Sequence, residues 1–203
     1  MQTIDRTKTA RERIRDLCRH SDLSERLVLV PPSVKVRGVY FRTIERVLAD
    51  AGRREAYDDL FPQHFSAVLW HPAADFLVQL VSAGALLLDP ARVYEGMFEI
   101  GRRNAAMFAE SLLGRTLLRL LDRDPKRLLQ QAIAGARQSC THSRWKLDFP
   151  DERTAVVTMH EEYLYMDSWL LGAARGTFEA VGASVRTEVL PRDKFSGQHI
   201  HRW

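Results

Sequence analysis

Near residue 142 the hydrophobic pattern changes period, and this switch limits what the chain can fold into. Upstream, apolar side chains recur at helical spacing; downstream they alternate as on one face of a strand. Trp145, Leu147 and Phe149 alternate with Arg144, Lys146 and Asp148. After the turn chemistry of Pro150-Asp151-Glu152, a second alternation runs through Ala155, Val157 and Met159. Residues 142–160 therefore predict a hairpin with Trp145 facing inward and Arg144 and Lys146 outward. Tyr163 to Val181 returns to helical spacing, and Gly182 closes it. Val185, Thr187 and Val189 predict a third strand, Pro191-Arg192-Asp193 a turn, and Gln198 to Trp203 a fourth strand. Hairpin, helix, hairpin behind a helical N-terminal half makes an α+β fold with a small antiparallel sheet.

The N-terminal half reads as follows. Residues 1–22 form a basic arm or short amphipathic helix whose only large apolar residues are Ile4, Ile14 and Leu17. An apolar run at Leu27 to Val30 stops at Pro31-Pro32. Ser33 then caps a helix from Lys35 to Ala51, with Gly52 as its stop. Short helical pieces around Tyr57, Leu60 and Phe61 end at Pro62. Ala73 to Leu87, opened by Pro72, is nearly all apolar or small and predicts the central buried helix. Asp89-Pro90 opens a helix running to Leu113 with a stripe of Tyr94, Phe98, Gly101, Ala105, Phe108 and Leu112. Val93, Met97, Ile100 and Met107 form a second stripe beside it. Gly114 ends that helix, and two more follow near 115–122 and 126–138, divided by Asp124-Pro125. No linker divides the chain, so residues 23–203 are expected to form a single domain.

Apolar residues make up 45% and charged residues 28%, which excludes a disordered chain. Of 30 basic residues only five are lysine, and the formal net charge is +4. The excess lies in residues 1–54, where 13 basic and seven acidic residues leave +6. Acids are interspersed there and no aromatic precedes Tyr40, so the arm reads as a solvated end and not a nucleic-acid surface. Phe76 to Leu88 is too short to span a bilayer, and residues 1–20 are too polar for a signal peptide. A cytoplasmic protein is the expectation.

No motif announces a chemistry. Cys18 and Cys140 have neither metal nor redox spacing. His199 and His201 share one strand face, with His160 as a conceivable third ligand, but nothing else supports a metal. His71, beside Trp70, is the best-placed haem ligand, and reads equally well as packing at a helix start. Cys140 and His142 lie close in sequence without an evident orienting acid. Adjacent carboxylates at Glu161-Glu162 point apart. No Walker or Gly-x-Gly-x-x-Gly loop is present. What remains is an aromatic set on inward helix faces: Tyr40, Trp70, Phe98, Phe108, Tyr163 and Trp169 are the candidate ligand-binding residues. Small residues beside them, Gly101, Ala105, Gly172 and Gly176, either admit close helix packing or leave room for a ligand.

Pro31-Pro32 followed by Arg37-Gly38-Val39-Tyr40-Phe41, the Ala85 to Pro90 stretch, Gly101-Arg102, Gly114-Arg115, the Tyr163 to Gly172 segment, Gly176, Gly182 and the terminal Arg202-Trp203 form an ordered pattern. Over residues 23–203 it resembles the myxobacterial paralogous family of uncharacterised proteins. That family's layout is similar to 4-vinyl reductase and haem–nitric-oxide-binding-like domains, and transport-particle subunits share a comparable fold. The resemblance implies a non-enzymatic domain in bacterial signalling that senses an apolar small molecule, with no cofactor, as a homodimer. The sequence places such a ligand between the helical half and the hairpin-helix-hairpin unit. The second stripe of the 89–113 helix gives the homodimer a physical reason, since one chain has limited room to bury both stripes. The rival reading is a homodimeric protein–protein module without ligand, and the third an enzyme or haem protein.

Overall fold

The computed structural model of the protein describes residues 8–110 and 124–203, and the side chains of 108–110 lie outside that description. The expected helix near 115–122 and its glycine boundary at Gly114 fall outside the described residues. The chain forms two compact units, Met1–Ile100 and Gly101–Trp203.

The first unit is helical. Helix α1 (Ala10–Cys18) opens with a capping box: Glu12 N donates to Thr9 Oγ1, and Thr9 N donates to the Glu12 carboxylate. Helix α2 (Leu23–Leu29) follows. Strand β1 (Lys35–Arg37), helix α3 (Val39–Asp50), helix α4 (Arg54–Asp58), strand β2 (Trp70–Pro72) and helix α5 (Ala73–Leu87) complete most of it. Helix α5 is the centre: Phe76, Leu77, Leu80, Val81 and Ala83 are fully sealed. Its buried Gln79 accepts a hydrogen bond from Tyr57 Oη at 2.5 Å, so no polar group is stranded there.

Two expectations are corrected here. The helix read from Lys35 under a Ser33 cap begins instead at Val39, after Gly38. Lys35–Arg37 pairs antiparallel with Trp70–Pro72. Gly38 explains the break. A Cβ there would sit 1.9 Å from Ser66 O, while Gly38 N donates to Leu69 O and Val39 N to Ala67 O. The second correction concerns the helix after Asp89-Pro90. A 3-10 turn (Pro90–Arg92), capped by Asp89 accepting from Ala91 N, leads into helix α6 (Val93–Glu110). The core stripe of α6 in this unit is Val93, Met97 and Ile100, while Tyr94 is 37% exposed and Phe98 half-buried. Gly84 and Gly96 decide this: a Cβ on Gly96 would lie 2.1 Å from Gly84 O, so the backbones of α5 and α6 touch on that face. Val93, Met97 and Ile100 of the stripe that argued for a twin are therefore buried within the first unit, while Met107, in the second, is half-buried.

The second unit has the expected hairpin-helix-hairpin order. Helix α7 (Pro125–Ser139) starts where Asp124 accepts from Lys126 N and Pro125 fills the first turn. Strands β3 (Arg144–Asp151) and β4 (Thr154–His160) form the first hairpin. A π-turn (Met166–Leu170) runs into helix α8 (Leu171–Ala180), three residues later than the sequence spacing predicted. Strands β5 (Arg186–Asp193) and β6 (Ser196–Arg202) form the second hairpin. The antiparallel order is β3-β4-β6-β5. Ala155, Val157 and Met159 face inward, as alternation requires. They pack with Leu128, Leu129 and Ile133 of α7 and with Phe178 of α8.

Small residues again mark backbone contacts. A Cβ on Gly101 would lie 2.1 Å from Trp169 O, and one on Gly176 would lie 2.0 Å from Arg102 O. The sequence left two readings for these glycines. The structure selects close packing of α6 on the π-turn and α8, not room for a ligand.

Candidate functional site

The second unit contains a buried imidazole–carboxylate cluster at the end of the sheet. Strand alternation through Ala155, Val157 and Met159 would turn residue 161 inward next. Glu161 instead adopts φ +52°, a left-handed conformation uncommon outside glycine, and the alternation shifts by one. Glu161 stays exposed beside Arg144, and Glu162 is fully buried.

Three N–H groups converge on the Glu162 carboxylate. His142 Nε2 donates to Oε1 at 2.9 Å, Leu164 N donates to the same oxygen at 2.9 Å, and Trp145 Nε1 donates to Oε2 at 2.7 Å. Glu162 N itself donates to Phe195 O. A carboxylate withdrawn from water is stable only with such compensation. The Tyr163 ring is half-buried, with centroids 5.5 Å from His142 and 5.0 Å from Phe195. His142 Nδ1 is sealed from solvent and has no hydrogen-bond partner among the described residues. The orienting acid that Cys140 and His142 lacked in the sequence is thus Glu162, which only the break at Glu161 brings into place.

A second group lies in the middle of the sheet. His199 and His201 share the inner face of β6, with ring centroids 5.8 Å apart. His199 Nε2 donates to the Met166 carbonyl at 2.9 Å, and His201 Nδ1 shares a hydrogen bond with Thr187 Oγ1 at 2.9 Å. Burial pulls the His199 pKa down to about 4. Burial first, then the neighbouring His199, pulls His201 down to about 3. Both rings are neutral near pH 7. His160 is exposed at the end of β4, apart from that inner face. No cluster of three metal-binding side chains occurs among the described residues.

The candidate ligand residues fall in both units. In the first, Tyr40 is half-buried with its ring 5.7 Å from Phe76, Phe98 is half-buried, and Trp70 is 37% exposed beneath the Arg37 guanidinium. In the second, Tyr163 adjoins the His142–Glu162 pair, and Trp169 is fully packed on the π-turn. The Phe108 side chain lies outside the described residues. His71 packs edge-on to Phe41 and Phe65, and its Nε2 donates to Ser66 O at 3.3 Å.

No curated protein matches the sequence. A family described as "Protein of unknown function (DUF2378)" matches residues 30–203. The unliganded Fe(II) H-NOX protein of K. algicida superposes with a TM-score of 0.63 at 14% identity, covering 82% of this chain and 95% of that one. An oxygen-binding H-NOX domain related to soluble guanylate cyclases gives 0.58 at 16% identity, over 82% and 94%. A structure concerned with haem redox potential and protein-induced porphyrin distortion gives 0.56 at 16% identity, over 82% and 99%. At these identities the likeness is one of fold.

Proposed function

This chain belongs to the DUF2378 family and has an H-NOX-like fold, and from that premise we propose that it senses a small apolar molecule other than haem. Haem is the group this fold implies. Its iron needs an axial ligand with space beside it. His142 has the right electronics, since a carboxylate behind one ring nitrogen suits the other to a metal. That other nitrogen, Nδ1, is sealed against protein atoms, with no water-sized space beside it. His199 and His201 are held inside the sheet by Met166 and Thr187, and His71 packs against Phe41 and Phe65. The glycines that would widen a slot receive backbone atoms instead. None of these four histidines offers haem iron an open axial position.

The observation that carries the reading is the fold itself, shared over most of both chains with an oxygen-binding H-NOX domain and with a structure concerned with haem redox potential. Among the aromatic candidates, Tyr40, Phe98 and Tyr163 are half-buried and keep surface that a ligand can cover. Hydrophobic burial supplies the affinity, and Tyr hydroxyls the orientation. No part of this role calls for catalysis. The expected homodimer now rests on the family likeness alone.

Native mass spectrometry of the purified protein tests the proposal. A retained small molecule above the 23.3 kDa chain is the expected result, in a preparation without Soret absorption. A Soret band with one haem per chain overturns the choice of ligand. A bare chain whose thermal stability no panel of apolar compounds raises overturns sensing.

A further inference from the structure

The tip beside the β1–β2 pair presents apolar side chains to solvent in a fixed frame. Val68 is 71% exposed, Leu69 58% and Trp70 37%, and Val39 next to them is also exposed. A loose loop would fold such residues away. This one is held open: Gly38 N donates to Leu69 O, Val39 N to Ala67 O, and Leu69 N to Ser66 O. The Arg37 guanidinium donates to Val68 O and lies 4.2 Å above the Trp70 ring. His71 adds its bond to Ser66 O. The polar backbone of the loop is satisfied inward while its side chains point out.

The charged residues of the strand pair have one sign. In the strand pair Lys35 lies opposite Pro72 and Arg37 opposite Trp70, while Val36, between them, is fully buried. The outward face is therefore Lys35, Arg37, Trp70 and Pro72. Residues 31–44 and 60–74 contain no aspartate or glutamate, and their Arg42 and His64 lie against the buried Glu45. Of the acids that flank these segments, Glu45 is buried and paired with Arg42 and Arg54, while Asp59 and Asp75 are exposed.

We propose that this tip docks the first unit onto an anionic lipid surface. Aliphatic side chains enter the headgroup boundary, Trp70 sits at the interface, and Lys35 and Arg37 meet anionic headgroups. A symmetric contact between two copies would set Lys35 and Arg37 of one against the same cations of the other, which the charge opposes. A nucleic acid would leave Val68 and Leu69 without a partner. Among the described residues no single helix is long and apolar enough to cross a membrane, so the contact is peripheral.

The test is co-sedimentation of the full chain with phosphatidylcholine vesicles, with and without phosphatidylglycerol. Binding is expected only with the anionic lipid, weakening about tenfold from low to high salt. Val68→Glu with Leu69→Glu should abolish it. Both positions are exposed, so circular dichroism should be unchanged. Should that variant misfold, Val68→Ser with Leu69→Ser takes its place and should weaken binding about tenfold. Brominated lipid should quench wild-type fluorescence, and Trp70→Phe should lose most of that quenching. Wild type left in the supernatant with anionic vesicles at low salt overturns the proposal. So does undiminished binding of the tip variants, or a dimer in sedimentation that they disperse.

Discussion

At the end of the second unit's sheet, His142 lies against a carboxylate; in the middle, His199 and His201 lie against each other. Both arrangements bury imidazole. At the end, Glu162 brings charge into the interior, and three N–H donors offset its lost hydration. In the middle no acid contacts the rings directly, and burial keeps them neutral. The first arrangement depends on its partners remaining in place, the second on the rings remaining unprotonated. One is therefore sensitive to mutation and the other to acid.

The largest expected effect breaks the middle group. The unfolded chain takes up protons on these histidines as pH falls below their ordinary value of 6.5, and the folded chain does not until about pH 4 for His199 and about 3 for His201. Stability present above pH 6.5 is lost on the way down, by about 3 kcal/mol for each ring by pH 4. Urea denaturation across this range should show the fall, and a His199→Leu, His201→Leu variant should flatten it. An unchanged slope in that variant would locate the acid sensitivity elsewhere.

Glu162→Ala comes next. It strands three donors and should destabilise by about 3–5 kcal/mol at neutral pH, measured by the same denaturation. A loss below about 1 kcal/mol would show that the corner tolerates the missing carboxylate.

Gly101→Ala sharpens the comparison. Its methyl group must displace the Trp169 carbonyl on the π-turn, whose Met166 carbonyl holds His199. A loss of about 1–3 kcal/mol is expected. Nuclear magnetic resonance shifts should move at His199 more than at the Trp145 indole. Equal movement at both would mean that the π-turn and the corner yield together. The smallest effect is Thr187→Val, which removes the hydrogen bond to His201 at about 1 kcal/mol in thermal unfolding.

The elements legible in the sequence are those whose pattern repeats. Two alternating runs give the first hairpin and a third gives β5, and Asp-Pro pairs mark the starts at Pro90 and Pro125. The central helix matches its predicted span, Ala73–Leu87. Illegible elements depend on single contacts. Strands β1 and β2 have three residues each, too few to show a period, and they form because Gly38 admits the loop at Ser66. On α6 two stripes compete at the same helical spacing. Ring size favours Tyr94 and Phe98, but the Gly84–Gly96 contact selects Val93, Met97 and Ile100. At the candidate site Tyr163 was within reach of sequence reasoning and Glu162 was not. One left-handed residue reverses which of two glutamates faces inward, and nothing in the pair Glu161-Glu162 announces it.

The strand order leaves β3 and β5 as the open edges of the sheet. An open edge is a template on which a foreign strand can grow, the first step of amyloid-like stacking. Each edge carries an exposed proline, Pro150 or Pro191, and the register shifts next to it, between Asp148 and Asp151 on one side and between Pro191 and Asp193 on the other. A proline offers no N–H, and a shifted register aims its neighbours out of line. One end of each edge strand is thus closed to extension, which hinders the recruitment of strands from other chains at that end.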